Sequence, residues 1–249
     1  MAAVAPPRIH GEGRPEAAWR AAPWLAALPL KSPREVLDGC RRLVLLSPHP
    51  DDETLACGGL MRAARGAAVD VHLVAVTDGE ACYPGSAEWP VERLREVRPR
   101  EVEQALAVLG LRARIQRLGI PDGGIGAHRR VLEAALRRLL HPGDLVLAPW
   151  EHDGHPDHDA VGHAALAAAR SPGIRLLRYP VWAWHWLEPD TDEPPFTAFR
   201  LPLDPDTAAC KRRAIARFAS QTETGEAGGA ILPPHVLERF RRPFEVYLP

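Results

Sequence analysis

Two continuous apolar runs constrain this chain most, because each ends in a cluster of histidines and aspartates. Arg42–Ser47 leads into Ser47-Pro48-His49-Pro50-Asp51-Asp52-Glu53, and Leu145–Ala148 leads into Trp150-Glu151-His152-Asp153-Gly154-His155-Pro156-Asp157-His158-Asp159. A strand that is apolar at successive positions, rather than alternate ones, is covered on both faces, as in a parallel sheet. Each cluster is followed by a stretch of helical composition. Glu53–Arg65 is rich in Ala and Leu and ends at Gly66, the usual C-terminal signal. After the second cluster, Asp157 is placed to cap a helix running through Ala169.

The rest of the chain keeps the same alternation. Val69–Thr77 reads as a second strand, with Asp78-Gly79-Glu80 as a loop at its end. Val91–Leu109 has a helical apolar face stopped by Gly110, and Pro99 predicts a kink or restart near Arg98. Arg114–Leu118 is a short strand, the loop Gly119–Gly124 follows it, and Ala127–Leu140 is an amphipathic helix. Ile174–Trp186, Ala198–Leu203 and Phe244–Leu248 read as later strands, and Asp204–Phe218 as a helix. Strands alternating with helices of this length predict βαβ units and a mostly parallel sheet. Ligands then bind beyond the carboxyl ends of the strands. His49 to Glu53, Asp78 to Glu80, Asp122, and His152 to Asp159 all fall there. Residues 1–36 read as an N-terminal extension, with a short helix near Trp24–Leu28, and residues 37–249 as one domain.

Composition narrows the function. With 31 basic and 32 acidic residues the net charge is -1, which predicts no nucleic-acid footprint. No apolar run is long enough to span a bilayer. The start of the chain lacks the charged-then-apolar order of a signal peptide. Cys40, Cys57, Cys82 and Cys210 form no CxxC pair, so neither a disulfide framework nor a thiolate zinc site is expected. The expectation is a soluble, cytoplasmic protein with no membrane or nucleic-acid partner; the oligomeric state is left open.

The two clusters carry the chemistry. A catalytic zinc takes three protein ligands and leaves a fourth position open. The first cluster offers His49, Asp51 and Asp52; the second offers His152, Asp153, His155, Asp157 and His158. Two His and one Asp would leave net charge near +1 on the site, acidifying a bound water and polarising a carbonyl. Spacing alone does not say which aspartate is ligand and which is base.

Ser47-Pro48-His49-Pro50-Asp51-Asp52-Glu53-Thr54-Leu55-Ala56-Cys57-Gly58-Gly59 and His155-Pro156-Asp157-His158-Asp159-Ala160-Val161-Gly162 resemble the two signature motifs of the LmbE-like (PIG-L) deacetylases. The likeness runs from about Leu43 to Gln221. It implies a Rossmann-like three-layer α/β sandwich with a mostly parallel sheet, in a single domain. It also implies a hydrolase that deacetylates an N-acetyl amino sugar or glycoconjugate through a zinc-activated water. By that resemblance His49, Asp52 and His158 hold Zn²⁺, and Asp51 is the general base. His155 stabilises the oxyanion or serves as general acid, and Asp157 orients it. Arg98 and Asp122, matched through Arg98-x-x-Glu101 and Pro121-Asp122-Gly123, would bind the substrate. A His₂Asp site also accepts other divalent transition metals. The chain departs from the family pattern at two places: Asp153 stands where some members have tyrosine, and Phe218 where a histidine is usual. Two rival readings stay open, a zinc amidase acting on a non-sugar N-acyl substrate and a non-catalytic scaffold that retains the pocket.

Weaker features have plainer readings beside functional ones. Trp182, Trp184 and Trp186 alternate, so on a strand they would share one face, either packed or forming a stacking wall for a sugar ring. His185 would point the opposite way. His152 reads as a neighbour of the ligands, His163 as structural, and Glu53 as support for the helix start.

Overall fold

The computed structural model describes residues 9, 11–223 and 229–249. Three short helices come first: α1 (Glu16–Ala21), α2 (Pro23–Ala27) and α3 (Pro33–Leu37). The sheet then begins with β1 (Arg42–Ser47), followed by α4 (Asp52–Gly66), β2 (Asp70–Ala75), α5 (Val91–Val108), β3 (Arg114–Arg117) and α6 (Arg129–Leu139). The second half adds β4 (Asp144–Pro149), α7 (Pro156–Ala168) and β5 (Arg175–Tyr179). The order of the five parallel strands is β3-β2-β1-β4-β5. Strand order therefore reverses between β1 and β4. These two strands pair from Arg42 opposite Asp144 to Leu45 opposite Leu147, which sets the two His/Asp loops side by side.

Alternation along β1 sends side chains into two cores. Leu43 and Leu45 join a core shared with residues of α4, α5 and α9 (Pro205–Ile215). Val44 and Leu46 join the opposite core with Leu132 and Leu136 of α6 and Val161 and Ala165 of α7. The arrangement is the three-layer α/β sandwich with a parallel sheet that the sequence predicts. α7 lies so close to the end of β4 that a Cβ on Gly162 would come within 2.7 Å of Pro149 O and the backbone of Glu151.

The periphery differs from expectation in two places. The run Ile174–Trp186 is not one strand. β5 stops at Tyr179, and Ala183–Trp186 forms a helical turn, α8. The three alternate tryptophans therefore do not share a face. Trp184 is buried edge-on to Trp19, Trp186 stacks on Trp150, and Trp182 faces His155. The N-terminal residues are held against this turn: Arg14 N donates to His185 O, and Trp19 Nε1 donates to Trp184 O at 3.0 Å. The second is at Pro99, where of the two expected outcomes, a kink or a restart, the restart does not occur: Pro99 lies inside a single helix, α5.

A small antiparallel sheet, β6 (Phe199–Pro202) with β7 (Phe244–Tyr247), follows the main one, joined by α9, α10 (Ala219–Thr222) and α11 (Pro234–Leu237). Glu245 of β7 is fully engaged with α4. Its carboxylate accepts Gly59 N at 2.7 Å and Leu60 N at 3.0 Å, and also takes Lys211 Nζ at 2.7 Å and Tyr247 OH at 2.8 Å. Among the described residues no helix is long and apolar enough to cross a membrane.

Candidate metal and catalytic centre

The centre stands at the point of strand reversal. Ser47 ends β1, and its Oγ lies within hydrogen-bond distance of His49 O at 2.7 Å and of Glu53 Oε2 at 2.8 Å, so the turn is tied to the strand it leaves. Asp51 caps α4 with φ 138°, a left-handed backbone that a non-glycine residue adopts only under strain. Glu53 holds this conformation from below: it accepts Asp51 N at 3.3 Å and Thr54 Oγ1 at 2.8 Å. The reading of Glu53 as support for the helix start agrees with these contacts.

Three atoms converge. His49 Nδ1 lies 3.3 Å from Asp52 Oδ2 and 3.3 Å from His158 Nε2, and His158 Nε2 lies 3.2 Å from Asp52 Oδ2. The far side of each ring faces carboxylates. His158 Nδ1 is 2.8 Å from Asp153 Oδ2, and His49 Nε2 is 3.1 Å from Asp122 Oδ1 and 3.3 Å from Asp157 Oδ2. Ring protons on those outer nitrogens turn both inner lone pairs towards Asp52. Two lone pairs and a carboxylate oxygen so close together repel unless a cation or a ring proton lies among them; against the cost of burial, the surrounding carboxylates favour protonated His49 and His158 where no cation is bound. Tetrahedral ligands at the usual zinc distances are separated by about 3.3 Å. The donor set and its spacing therefore fit a divalent metal. His155 joins a second grouping with His49 and His158, and Asp122 and Asp157 join a third around His49.

The predicted residues are brought together, with some partners exchanged. His155, rather than Asp157, caps α7: its Nδ1 accepts Asp157 N at 3.2 Å. Asp157 thus meets His155 through its backbone, while its carboxylate accepts Gly123 N at 2.7 Å and Ile125 N at 3.1 Å and faces His49. Asp122 likewise faces His49 and accepts Ala81 N at 2.8 Å. Arg98 is buried. It donates to Asp51 Oδ2 at 3.0 Å, Pro50 O at 2.8 Å and Gly79 O at 2.7 Å. Glu101, one turn on, accepts Ser220 N and Oγ and so fixes the Ser220-Gln221 corner.

Asp153 is the residue whose role the sequence did not reveal. It is wholly buried, and besides His158 it accepts Val181 N at 2.8 Å, Trp182 N at 2.9 Å and Ala183 N at 2.9 Å. One carboxylate thus fixes the His158 imidazole and the loop after β5. The available signal was its spacing, five residues before His158 in the loop after an apolar strand. His152 packs edge-on to Trp150 and to His163, away from the donors. His185 is buried beside Arg239 Nη1 at 3.0 Å.

Protonation follows from the same contacts. Burial pushes Asp51 up to about 8; the Arg98 cation opposes the rise, and Asp52 and Glu53 add to it. Burial also works against ionisation of Asp52, but the His158 and His49 contacts outweigh it and hold its carboxyl below the usual range. Burial, with the neighbouring His158 and His49, lowers His155 to about 3. His155 is then neutral at pH 7, and because Nδ1 is an acceptor its proton sits on Nε2.

At the switch point of this doubly wound α/β sheet, two histidines and an aspartate form a donor set that fits a divalent metal. The chain belongs to the GlcNAc-PI de-N-acetylase (PIG-L) family, whose model matches residues 44–169. It is 29% identical over 201 residues to the 2'-N-acetylparomamine deacetylase of Streptomyces fradiae, covering 74% of this chain and 68% of that one. It is 42% identical over 167 residues to a 1D-myo-inositol 2-acetamido-2-deoxy-alpha-D-glucopyranoside deacetylase of Thermobifida fusca, covering 54% and 57%. Among solved structures, a conserved protein of Thermus thermophilus superposes with TM-score 0.56 at 29% identity, covering 80% of this chain and 84% of that one. The chain spans little more than half the length of several of the curated relatives it matches.

Proposed function

We propose that this protein is a metal-dependent hydrolase that removes the acyl group from an N-acetylated amino sugar or glycoconjugate. The observation that carries the proposal is the convergence of His49 Nδ1, Asp52 Oδ2 and His158 Nε2 within 3.2–3.3 Å, with Asp51 and His155 lining the same cavity. A divalent ion held by these three residues, Zn²⁺ first among the candidates, supplies Lewis acidity towards a water and an amide carbonyl. Asp51 takes the proton of the attacking water. Its strained backbone and the Arg98 contact hold the carboxylate in one place for that transfer. Neutral His155 donates its Nε2–H to the oxygen of the tetrahedral species. Asp51 then returns the proton to the departing nitrogen as the C–N bond breaks, releasing an amine and a carboxylate.

The activities of the relatives agree with a sugar amide as substrate. Arg98 and Asp122 border the cavity where such a substrate would lie, although their present partners are Asp51 and His49. The test is acetate release from N-acetylglucosamine, its glycosides and a set of non-sugar N-acetyl amines, run beside metal analysis of the purified protein. Release from the sugars with one equivalent of a divalent ion is expected. A protein that binds no divalent ion, or that hydrolyses only the non-sugar amides, overturns the proposal.

A further inference from the structure

Gln221 lines the cavity beside the donors and is buried, yet the chemistry above does not use it. A chain of contacts fixes which end of its amide faces where. Glu101 accepts Ser220 N at 2.8 Å and Ser220 Oγ at 2.6 Å. An ionised carboxylate only accepts, so the single hydroxyl proton of Ser220 goes to Glu101 and its Oγ is left as an acceptor. Gln221 Nε2 donates to that Oγ at 3.0 Å and to Cys82 Sγ at 3.6 Å. Both protons of the amide nitrogen are then engaged. The backbone is tied too: Gln221 N donates to Phe218 O at 2.9 Å, and Gln221 O accepts Leu232 N at 2.8 Å. Oε1 is the part of the side chain left over. Among the described residues no donor meets it, and it is not one of the sealed, unpaired atoms of the protein, so it is open to the cavity.

Ile231 and Leu232 line the cavity next to Gln221, so an acceptor left unpaired there by a bound ligand costs free energy. Asp122, another oxygen acceptor of the lining, takes Ala81 N at 2.8 Å, the amide of the residue before Cys82. Asp122 and Gln221 thus stand against successive residues of one loop, and both offer acceptors. Their complement is a group with more than one donor. A simple N-acyl amine has only its amide N–H, whereas an amino sugar has several hydroxyls. Resting on the hydrolase reading above, we propose that Gln221 is a specificity-determining residue: its Oε1 accepts the hydrogen bond of a hydroxyl of the amino sugar. Ser220 and Glu101 are the positioning residues that keep the amide from turning over.

The test measures kcat and KM, read as released amine, for N-acetylglucosamine and its 3-deoxy, 4-deoxy and 6-deoxy analogues, each as the methyl glycoside. With the native protein at least one deoxy analogue should lose about tenfold in kcat/KM, the effect of one hydrogen bond to a buried acceptor. Gln221→Leu should lose about tenfold on the parent sugar, in KM more than in kcat, and should no longer tell one such analogue from the parent. Ser220→Ala, which frees the amide to turn over, should weaken the same discrimination severalfold, again through KM. If no deoxy analogue loses, or if Gln221→Leu keeps the native ratios among the four substrates, the assignment is overturned while the hydrolase reading stands. Should Gln221→Leu fail to fold, Ser220→Ala decides by the same ratios: unchanged ratios overturn the assignment. If no amine is released from any of the four, the hydrolase reading falls and the assignment falls with it.

Discussion

The two His/Asp loops share a frame and use it in opposite ways. Each follows an apolar strand of the same sheet and runs into a helix that packs back onto it. In the first loop the capping residue, Asp51, is the one held out of an ordinary backbone conformation, and the residues around it, Glu53 and Arg98, restrain it. In the second loop the capping residue, His155, is relaxed at φ -93°, and the order comes from a wholly buried carboxylate, Asp153, two residues before it. The first loop concentrates reactivity and leaves support to its neighbours. The second spends its most buried residue on support. A reactive carboxylate and a supporting carboxylate are thus the same residue type in two environments.

The largest expected effect separates these roles on the reactive side. Asp51→Ala should retain the metal and lose turnover by about a hundredfold to ten-thousandfold. Near-normal turnover would show that the proton goes elsewhere. On the supporting side, Asp153→Ala leaves three amides and an imidazole N–H without their acceptor inside the protein. A loss of about 3–5 kcal/mol in unfolding free energy is expected from denaturant titration. Asp153→Asn is the milder form. Its one oxygen still accepts from Val181 N and Ala183 N, but an NH₂ in place of Oδ2 accepts from neither Trp182 N nor His158 Nδ1–H, and metal affinity should drop about tenfold to a hundredfold while the fold persists. An unchanged affinity would remove Asp153 from the metal's support.

Gly162→Ala tests the seating of the second loop's helix. The added methyl meets backbone at 2.7 Å, so about 1–3 kcal/mol of stability should be lost, with little change at the first loop. The smallest effect is electrostatic. Burial raises the Asp51 pKa and the Arg98 cation lowers it. Arg98→Met should therefore raise it further and move the acid limb of the pH–kcat/KM profile to higher pH by about one unit or more. A limb that stays in place, or moves to lower pH, would dissociate Arg98 from the base.

How much of this was legible in the sequence depended on the period of the signal. The mostly parallel sheet was readable because runs such as Leu43–Leu46 and Leu145–Ala148 are apolar at every position and alternate with segments of helical length and period. His49, Asp52 and His158 were readable as a set only through the resemblance of the two motifs to a known family; their spacing alone leaves the choice between Asp51 and Asp52 open. What failed was local geometry. Trp182, Trp184 and Trp186 looked like a strand face, but Pro180 follows the last residue of β5, and the amides after it are drawn onto Asp153, which winds the segment into a turn. The cap of α7 was placed on Asp157 because aspartate is a common cap, yet Pro156 at the first helical position moves the cap to His155. The strain at Asp51 and the partnership of Glu245 with α4 leave no mark in composition, since both depend on residues far apart in the chain.

That partnership has a consequence for when the protein becomes itself. α4 begins with the metal-facing Asp52 and carries Gly58-Gly59 at its middle, a poor sequence for an isolated helix. Two of its interior amides are satisfied by Glu245, 186 positions after Gly59. Closing a loop of that length is entropically slow. The first His/Asp loop is therefore made well before the residue that completes the helix beneath it, and α4 is finished only once β7 has been made.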